Sequence, residues 1–423
     1  GIKLKLLKKN LIDLVWVEDR PPLPTAPVVR HPKRFAGESA ASKLSWLSEK
    51  MKEQKADAYV ISQLDCVAWL FNVRGADVSF TPVTVAYGLV TSDDAYLFVD
   101  EDKVSQQVRD RLAPLVEIRA YLALNRELKS LGRDGRRVWV DADSVTASIG
   151  QALRGARLLK KTSPIHAAKA RKNKAEIKGA RAAHERDGVA LVRLFVWLDD
   201  ALAAGKKVSE LDVSSKLEEL RAELPYYHGP SFNTISAFGS HGAIVHYAPT
   251  PESNRRLRKG GVFLLDAGGQ YLDGTTDMTR TVFFGDKDHR PSAEVKDRFT
   301  RVLKGHISIA CTRFPAGVSG QRLDSFARRA LWDAGLDYGH GTGHGVGSYL
   351  SVHEAPPSVA PARMPTIPLE EGHIFSNEPG YYRTGRYGIR TENLVLVVRE
   401  QKLSKRDLAW LCFETLTLCP IDT

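Results

Sequence analysis

VFLLDAGGQYLDGTTDMTRT, residues 262–281, decides how the second half of the chain folds. An apolar run ends on Asp266, glycines supply a turn, and a second strand begins near Asp277, so the stretch reads as an antiparallel hairpin that brings the two acids together. A carboxylate at the end of VFLL is costly to bury without a partner, and a metal cation is one partner that removes the penalty. Asp273 is the internal contrast. It falls in the turn itself, where aspartate ordinarily satisfies local hydrogen bonds, so it is expected to be structural.

Three further stretches carry the same chemistry. In YGHGTGHGVG, residues 338–347, His340 and His344 stand among glycines that let the backbone approach a ligand closely, and His353 follows nine residues after the second. In FSNEPG, residues 375–380, Glu378 ends an apolar strand before a Pro-Gly turn. GIRTEN, residues 388–393, repeats the pattern, with Glu392 leading into LVLVV. Four carboxylates and one imidazole make an oxygen-rich set, harder than the Cys/His sets of structural zinc and larger than one divalent ion needs. Two ions fit better, held about 3.5–4 Å apart by bridging carboxylates with a shared hydroxide as nucleophile.

Composition bounds what surrounds this cluster. The 423 residues predict two to three domains at about 150 residues each. Hydrophobic residues at 43% and charged residues at 26% exclude a collagen-like or disordered chain. No apolar stretch is long enough to span a bilayer and no signal-peptide pattern opens the sequence, so the expectation is a soluble, cytoplasmic protein. The four cysteines form no CxxC pair and are expected to be reduced. A formal charge of +11 invites a nucleic-acid reading, but the basic residues are scattered, and their densest run, 160–186, alternates with Ala, Glu and Asp as a solvated helix does; no nucleic-acid partner is expected.

Three segments are expected: residues 1–26, an edge-strand-like IKLKLL and a proline-rich linker left over from a preceding domain; 27–163, an α/β domain; and 164–423, which carries the acids. In the middle segment 42–55 reads as an amphipathic helix, and 58–62, 84–89, 95–99 and 137–140 as strands. Arg74, in WLFNVRG, is either a salt-bridged structural residue or a side chain delivered to a neighbouring site. In the last segment helices are expected over 173–204, 209–223, 298–311 and 321–334, and strands over 234–237, 262–266, 278–284, 374–378 and 393–398.

WLFNVRGADV (69–78), HYAPTPESNR (246–255), LLDAGGQYLDGTTDMTRTV (264–282), SFARRALWDAGLDYGHGTGHGVG (325–347), NEPGYY (377–382) and GIRTEN (388–393) together resemble the aminopeptidase P type of Xaa-Pro aminopeptidase, within the creatinase and methionine aminopeptidase superfamily, peptidase family M24. The resemblance implies an α/β (α+β) architecture, with a pita-bread catalytic domain preceded by a smaller creatinase-N-like α/β domain. It implies cleavage of the bond before a proline in the second position of a peptide, through a metal-bridging hydroxide. Asp266 would chelate one ion, Asp277 and Glu392 would bridge both, and His344 and Glu378 would bind the second. Manganese is the expected ion, with zinc and cobalt as alternatives. Glu378 would also be the general base, His246 and His353 would hydrogen-bond the scissile carbonyl and the tetrahedral intermediate, and His340 would shape the proline pocket. Arg74 would face the substrate, and Arg390 would support the metal ligands from behind.

Against the longer members of that family, most of a first domain and a C-terminal helical tail are expected to be absent from this sequence, and residues 401–410 look shortened. A homodimer is expected from the resemblance. The competing readings are a prolidase with the same ligands, a pita-bread binding protein without catalysis, and a methionine aminopeptidase. WLFNVRGADV and the N-terminal remnant favour the aminopeptidase over prolidase, and five intact ligands argue against the binding protein. The glycine-framed His340 and the large preceding domain argue against a methionine aminopeptidase.

Overall fold

The computed structural model describes residues 5, 7, 10–361, 367–405 and 408–422. The IKLKLL stretch therefore lies largely outside the described residues. So do two positions of the 401–410 segment.

AYVI at Ala58–Ile61 is apolar at every position because helices cover both faces of its sheet. Tyr59 and Ile61 join a core with Leu47, Val67 and Leu97, while Ala58 and Val60 join another with Leu89, Phe98 and Val138. Around this strand lies a six-stranded mixed sheet in the order Glu117–Ala120, Ala95–Val99, Ala86–Thr91, Ala58–Ile61, Arg137–Val140, Arg157–Lys160. The strand expected over 84–89 is displaced to Ala86–Thr91. Thr84 instead donates its hydroxyl to Asp77 Oδ2 at 2.9 Å, a local polar bond that propensity does not show. The aromatic run before Arg74 is a helix, Leu64–Phe71, ended by Asn72 in the left-handed conformation at φ 52°.

The second half opens on the 30-residue helix Lys174–Ala203. Its start is a capping box: the Asn173 side chain accepts from Ala175 and Glu176 amides, and Glu176 reaches back to the Asn173 amide at 3.0 Å. Glu210–Ala222 follows with its own box from Ser209 and Asp212. Two antiparallel sheets then carry the expected strands. One has the order Ile235–Phe238, Val262–Ala267, Met278–Phe283. The other runs Phe314–Pro315, Trp410–Thr415, Asn393–Arg399, Ile374–Asn377, Gly343–Gly345, Glu354–Val359. Helices Ala293–Ala310 and Gly320–Trp332 pack on this larger sheet through Ile309, Leu323 and Ala327 against Phe375, Val395 and Val397. The first of these helices starts earlier than expected because Ser292 caps it, accepting from the Val295 amide at 3.2 Å.

Asp266 lies on one strand of an antiparallel pair, opposite Thr279, and Asp277 immediately precedes the other strand. The link between them is more than a turn. Gly269–Tyr271 and Gly274–Thr275 form a second hairpin, and the first of these strands also pairs with Tyr227–Pro230. Gly268 makes the junction possible, since a Cβ there would fall 2.1 Å from the Thr276 carbonyl. The hairpin is tied to the helices by Asp187, which accepts from Arg221 Nε and Nη2 (2.7 and 3.0 Å), Tyr271 OH (2.8 Å) and Thr276 Oγ1 (2.8 Å). Asp187→Ala would strand a fully buried guanidinium, so unfolding in denaturant should show a loss of about 3–5 kcal/mol. A loss under about 1 kcal/mol, the size of a surface pair, would contradict this role.

Candidate metal centre

Strand alternation sets the direction of Asp266. Phe263, Leu265 and Ala267 face the core beneath Lys174–Ala203 and Glu210–Ala222, so Leu264 and Asp266 face the other way, toward Ile235 and Thr279 on the flanking strands. Glu378 and Glu392 emerge from neighbouring strands just beyond the Asn377–Asn393 pair. Their main chains are pinned, Glu378 N to the Thr342 carbonyl at 2.8 Å and Glu392 N to the Thr279 carbonyl at 3.1 Å. His344 lies on the adjoining short strand, and Gly343 beside it must be glycine because a Cβ would meet the Ser376 carbonyl at 1.8 Å.

The result is one cavity of about 320 Å³. Asp266, Asp277, His344, Glu378 and Glu392 line it, together with His246, His353 and Arg390. His344 Nε2 lies 3.5 Å from Asp277 Oδ2 and 3.4 Å from Glu378 Oε1. Asp277, His344 and Glu392 each present a ligand atom within 4.8 Å of the others. The His353 ring meets His344 edge-on with centroids 4.2 Å apart. Asp273 stays outside, paired with Arg186 at 2.5 Å.

Two expected residues sit elsewhere. His340 does not line the cavity; its Nε2 meets Tyr382 OH at 2.8 Å, and that hydroxyl accepts from Arg390 Nη1 at 2.7 Å. Arg74 does not line the cavity and is buried. It donates to the carbonyls of Tyr349 (2.6 Å), Val73 (2.9 Å), Ala68 (3.0 Å) and Ser348 (3.3 Å), so its donors serve backbone rather than substrate. Arg390 donates from Nη2 to Asp266 Oδ2 at 2.6 Å and from Nε to Thr279 Oγ1 at 3.0 Å. Sequence reasoning missed the apolar wall of Phe232, Ile235 and Val245, which no motif marks, and Tyr382, whose only signal was its place in NEPGYY.

The electrostatics test whether these residues suit a metal. Burial pushes the Asp266 carboxyl up to about 7, against the Arg390 guanidinium, with Asp277 adding to the rise. Burial likewise raises Glu378 and carries Glu392 well above the carboxylate range, where Asp277, Glu378 and Asp266 reinforce it. Burial opposes charge on His344, yet Asp277 and Glu378 hold its pKa up at about 9. Asp266 Oδ1 is buried with no hydrogen-bond partner. Mutually repelling carboxylates, an imidazole and an unpartnered oxygen fit divalent cations bound through oxygen and nitrogen.

Sequence comparison accounts for this arrangement. Residues 178–399 match metallopeptidase family M24, and residues 19–176 match the creatinase/prolidase N-terminal domain. The chain belongs to metallopeptidase family M24, with the pita-bread fold of that family behind a creatinase-like α/β domain. It is 45% identical over 426 residues to a protein of Laccaria bicolor named "Probable Xaa-Pro aminopeptidase P", covering 99% of this chain and 65% of that one. A namesake from Paracoccidioides lutzii is 41% identical over 437 residues, covering 100% and 70%. The chain thus spans about two thirds of the length of these relatives. Among solved structures, the X-prolyl aminopeptidase of Caenorhabditis elegans superposes with a TM-score of 0.93 at 37% identity, over 99% of this chain and 68% of that one. It is described as a cytosolic enzyme with a di-nuclear active site. A Xaa-Pro dipeptidase from Bacillus anthracis, 22% identical with a TM-score of 0.70 over 91% and 99% of the two chains, shares the fold.

Because the folded Asp266 carboxyl holds its proton to about pH 7 against an ordinary value of 3.8, this one group binds more proton in the folded metal-free protein than in the unfolded chain between those limits. Its contribution to stability is full below the lower value and lost as pH rises through the upper one. Divalent ions reverse this by favouring the deprotonated ligands. The gain in Tm from added manganese over chelator-treated protein should therefore grow from pH 5 to pH 8. A constant or shrinking gain would contradict the ligand set.

Proposed function

We propose that this protein removes an N-terminal residue that precedes proline, using two divalent metal ions bound by Asp266, Asp277, His344, Glu378 and Glu392. The observation that carries the reading is the convergence of those five side chains on one cavity. The names of the 41–45% identical relatives support the substrate class. The division of labour, with residues 27–163 as the creatinase-like domain and 164–423 as the catalytic one, belongs to the proposal. So do manganese as the resident ion, a homodimer and a cytoplasmic location. The C. elegans neighbour's description as cytosolic supports the last, and no helix among the described residues is long and apolar enough to cross a membrane.

Bound ions would supply Lewis acidity and a water activated at neutral pH. The protein supplies the rest. Glu378 takes a proton at its carboxylate and returns it to the departing proline nitrogen. Burial, with His344 adding to it, holds His353 near a pKa of about 4, so its ring is neutral at pH 7 and keeps an N–H to donate to the scissile carbonyl. His246, on the lining of the same cavity, hydrogen-bonds the same carbonyl. Arg390 holds Asp266 and, through the Tyr382 hydroxyl, is joined to His340, so that histidine bears on the site by way of Arg390 rather than from the cavity wall. Proline offers no amide N–H, so the apolar wall of Phe232, Ile235 and Val245 can recognise its ring by shape.

Metal-stripped protein given manganese should release arginine from Arg-Pro-Pro and leave Arg-Ala-Ala and the dipeptide Ala-Pro uncut. Cleavage mainly of the dipeptide would make it a prolidase. No cleavage of any of the three would refute the proposal. Glu378→Ala should lower the rate on Arg-Pro-Pro by about 10²–10⁴-fold or more, since it removes both a ligand and the base; a near-normal rate would sink its assignment.

A further inference from the structure

The segment 347–354, which presents His353 to the cavity, is held in part by contacts with the N-terminal domain. Leu350 is fully buried and belongs to the N-terminal core beside Val67 and Leu70, although it lies in the catalytic half of the chain. Tyr349 holds a left-handed backbone at φ 50°, a conformation that a tyrosine keeps only when its surroundings impose it. Arg74 imposes it from one side, donating to the Tyr349 and Ser348 carbonyls. Gln270 joins the Leu350 carbonyl (2.7 Å) to the Phe80 carbonyl of the N-terminal domain (2.9 Å). At the far end Glu354, adjacent to His353, lies 2.9 Å from Lys169 Nζ and 2.5 Å from Lys172 Nζ. Lys169 in turn lies 2.9 Å from Asp65, on the helix that leads to Arg74.

Burying a guanidinium is costly, and here the partners are main-chain carbonyls, two of them across the domain boundary. Burial pulls the Arg74 pKa down to about 10, so the cation persists at neutral pH and keeps all its donors. Arg74 grips the backbone before His353 and the lysines hold the Glu354 side chain just after it, while the His353 ring rests edge-on against the proposed ligand His344. A small displacement of the segment would move that ring relative to the metal ligands without touching any ligand.

We infer that the N-terminal domain is a working part of the active site: Arg74 is a positioning residue that sets the 347–354 segment and thereby the His353 ring. The inference rests on His353 acting at the scissile carbonyl, as proposed above. Positioning lost at such a distance is expected to cost turnover by about 10- to 100-fold, with KM and bound metal changed much less.

The test is a double-mutant cycle on the full chain with Arg-Pro-Pro, comparing wild type, Arg74→Met, His353→Ala and the pair. Arg74→Met should lower kcat, and the pair should be no slower than His353→Ala alone. A wild-type kcat for Arg74→Met, or losses that multiply in the pair, would overturn the inference. Should Arg74→Met fail to fold, Asp65→Asn, which weakens the other anchor, takes its place in the cycle: a lowered kcat that does not multiply with His353→Ala supports the inference, and a wild-type kcat or multiplying losses overturn it. The His353 ring resonances, read by NMR in these proteins, separate this inference from the activity itself. They should shift in Arg74→Met or Asp65→Asn whether or not any peptide is cleaved, and unchanged resonances would refute the positioning role. An uncut Arg-Pro-Pro in the wild type would instead refute the activity.

Discussion

Buried carboxylates that face one another repel, and in this protein three of them, Asp266, Glu378 and Glu392, are driven upward by burial and by Asp277. A fold tolerates such a cluster only if something cationic completes it. Arg390 answers for one oxygen of Asp266, and the other is left without a hydrogen-bond partner. The sheet that holds Val262–Ala267 and the six-stranded sheet meet so that their strands, or the residues next to them, deliver carboxylates to one cavity. The polar groups behind them, Thr279 on Glu392 and Ser376 on Glu378, fix each carboxylate by a single hydroxyl at 2.7 and 2.9 Å. That leaves the remaining lone pairs directed at the space where ions fit.

The same constraint explains why the site was readable before the fold. An acid at the end of an apolar strand is a local anomaly, and Asp266, Glu378 and Glu392 each present it within a few residues of sequence. Strand alternation then gives a direction for Asp266 without any tertiary knowledge. His344 was legible from its glycines, one of which proves to be required by contact with the Ser376 carbonyl. Asp273 was separable from its neighbours by its place in a turn, and it pairs with Arg186.

What the sequence concealed depends on contacts between distant segments. Arg74 looked like a cation available to a substrate; that its donors end on backbone carbonyls depends on residues 348 and 349, some 270 positions away. His340 shares its glycine frame with His344 yet points to Tyr382, a partner no local pattern specifies. The second hairpin between Asp266 and Asp277 reads as a plain glycine turn until Tyr227–Pro230 pairs with it. The apolar wall of the cavity comes from residues that are individually ordinary. Local anomalies in polarity are visible in one dimension, whereas cross-domain pairing is not.

The most direct test of the central claim is a count of ions. Elemental analysis of the purified chain after manganese loading and removal of free metal should find two ions per chain, with the magnetic resonance signature of a coupled pair. One ion, or none retained, would contradict the dinuclear site on which the proposed chemistry rests.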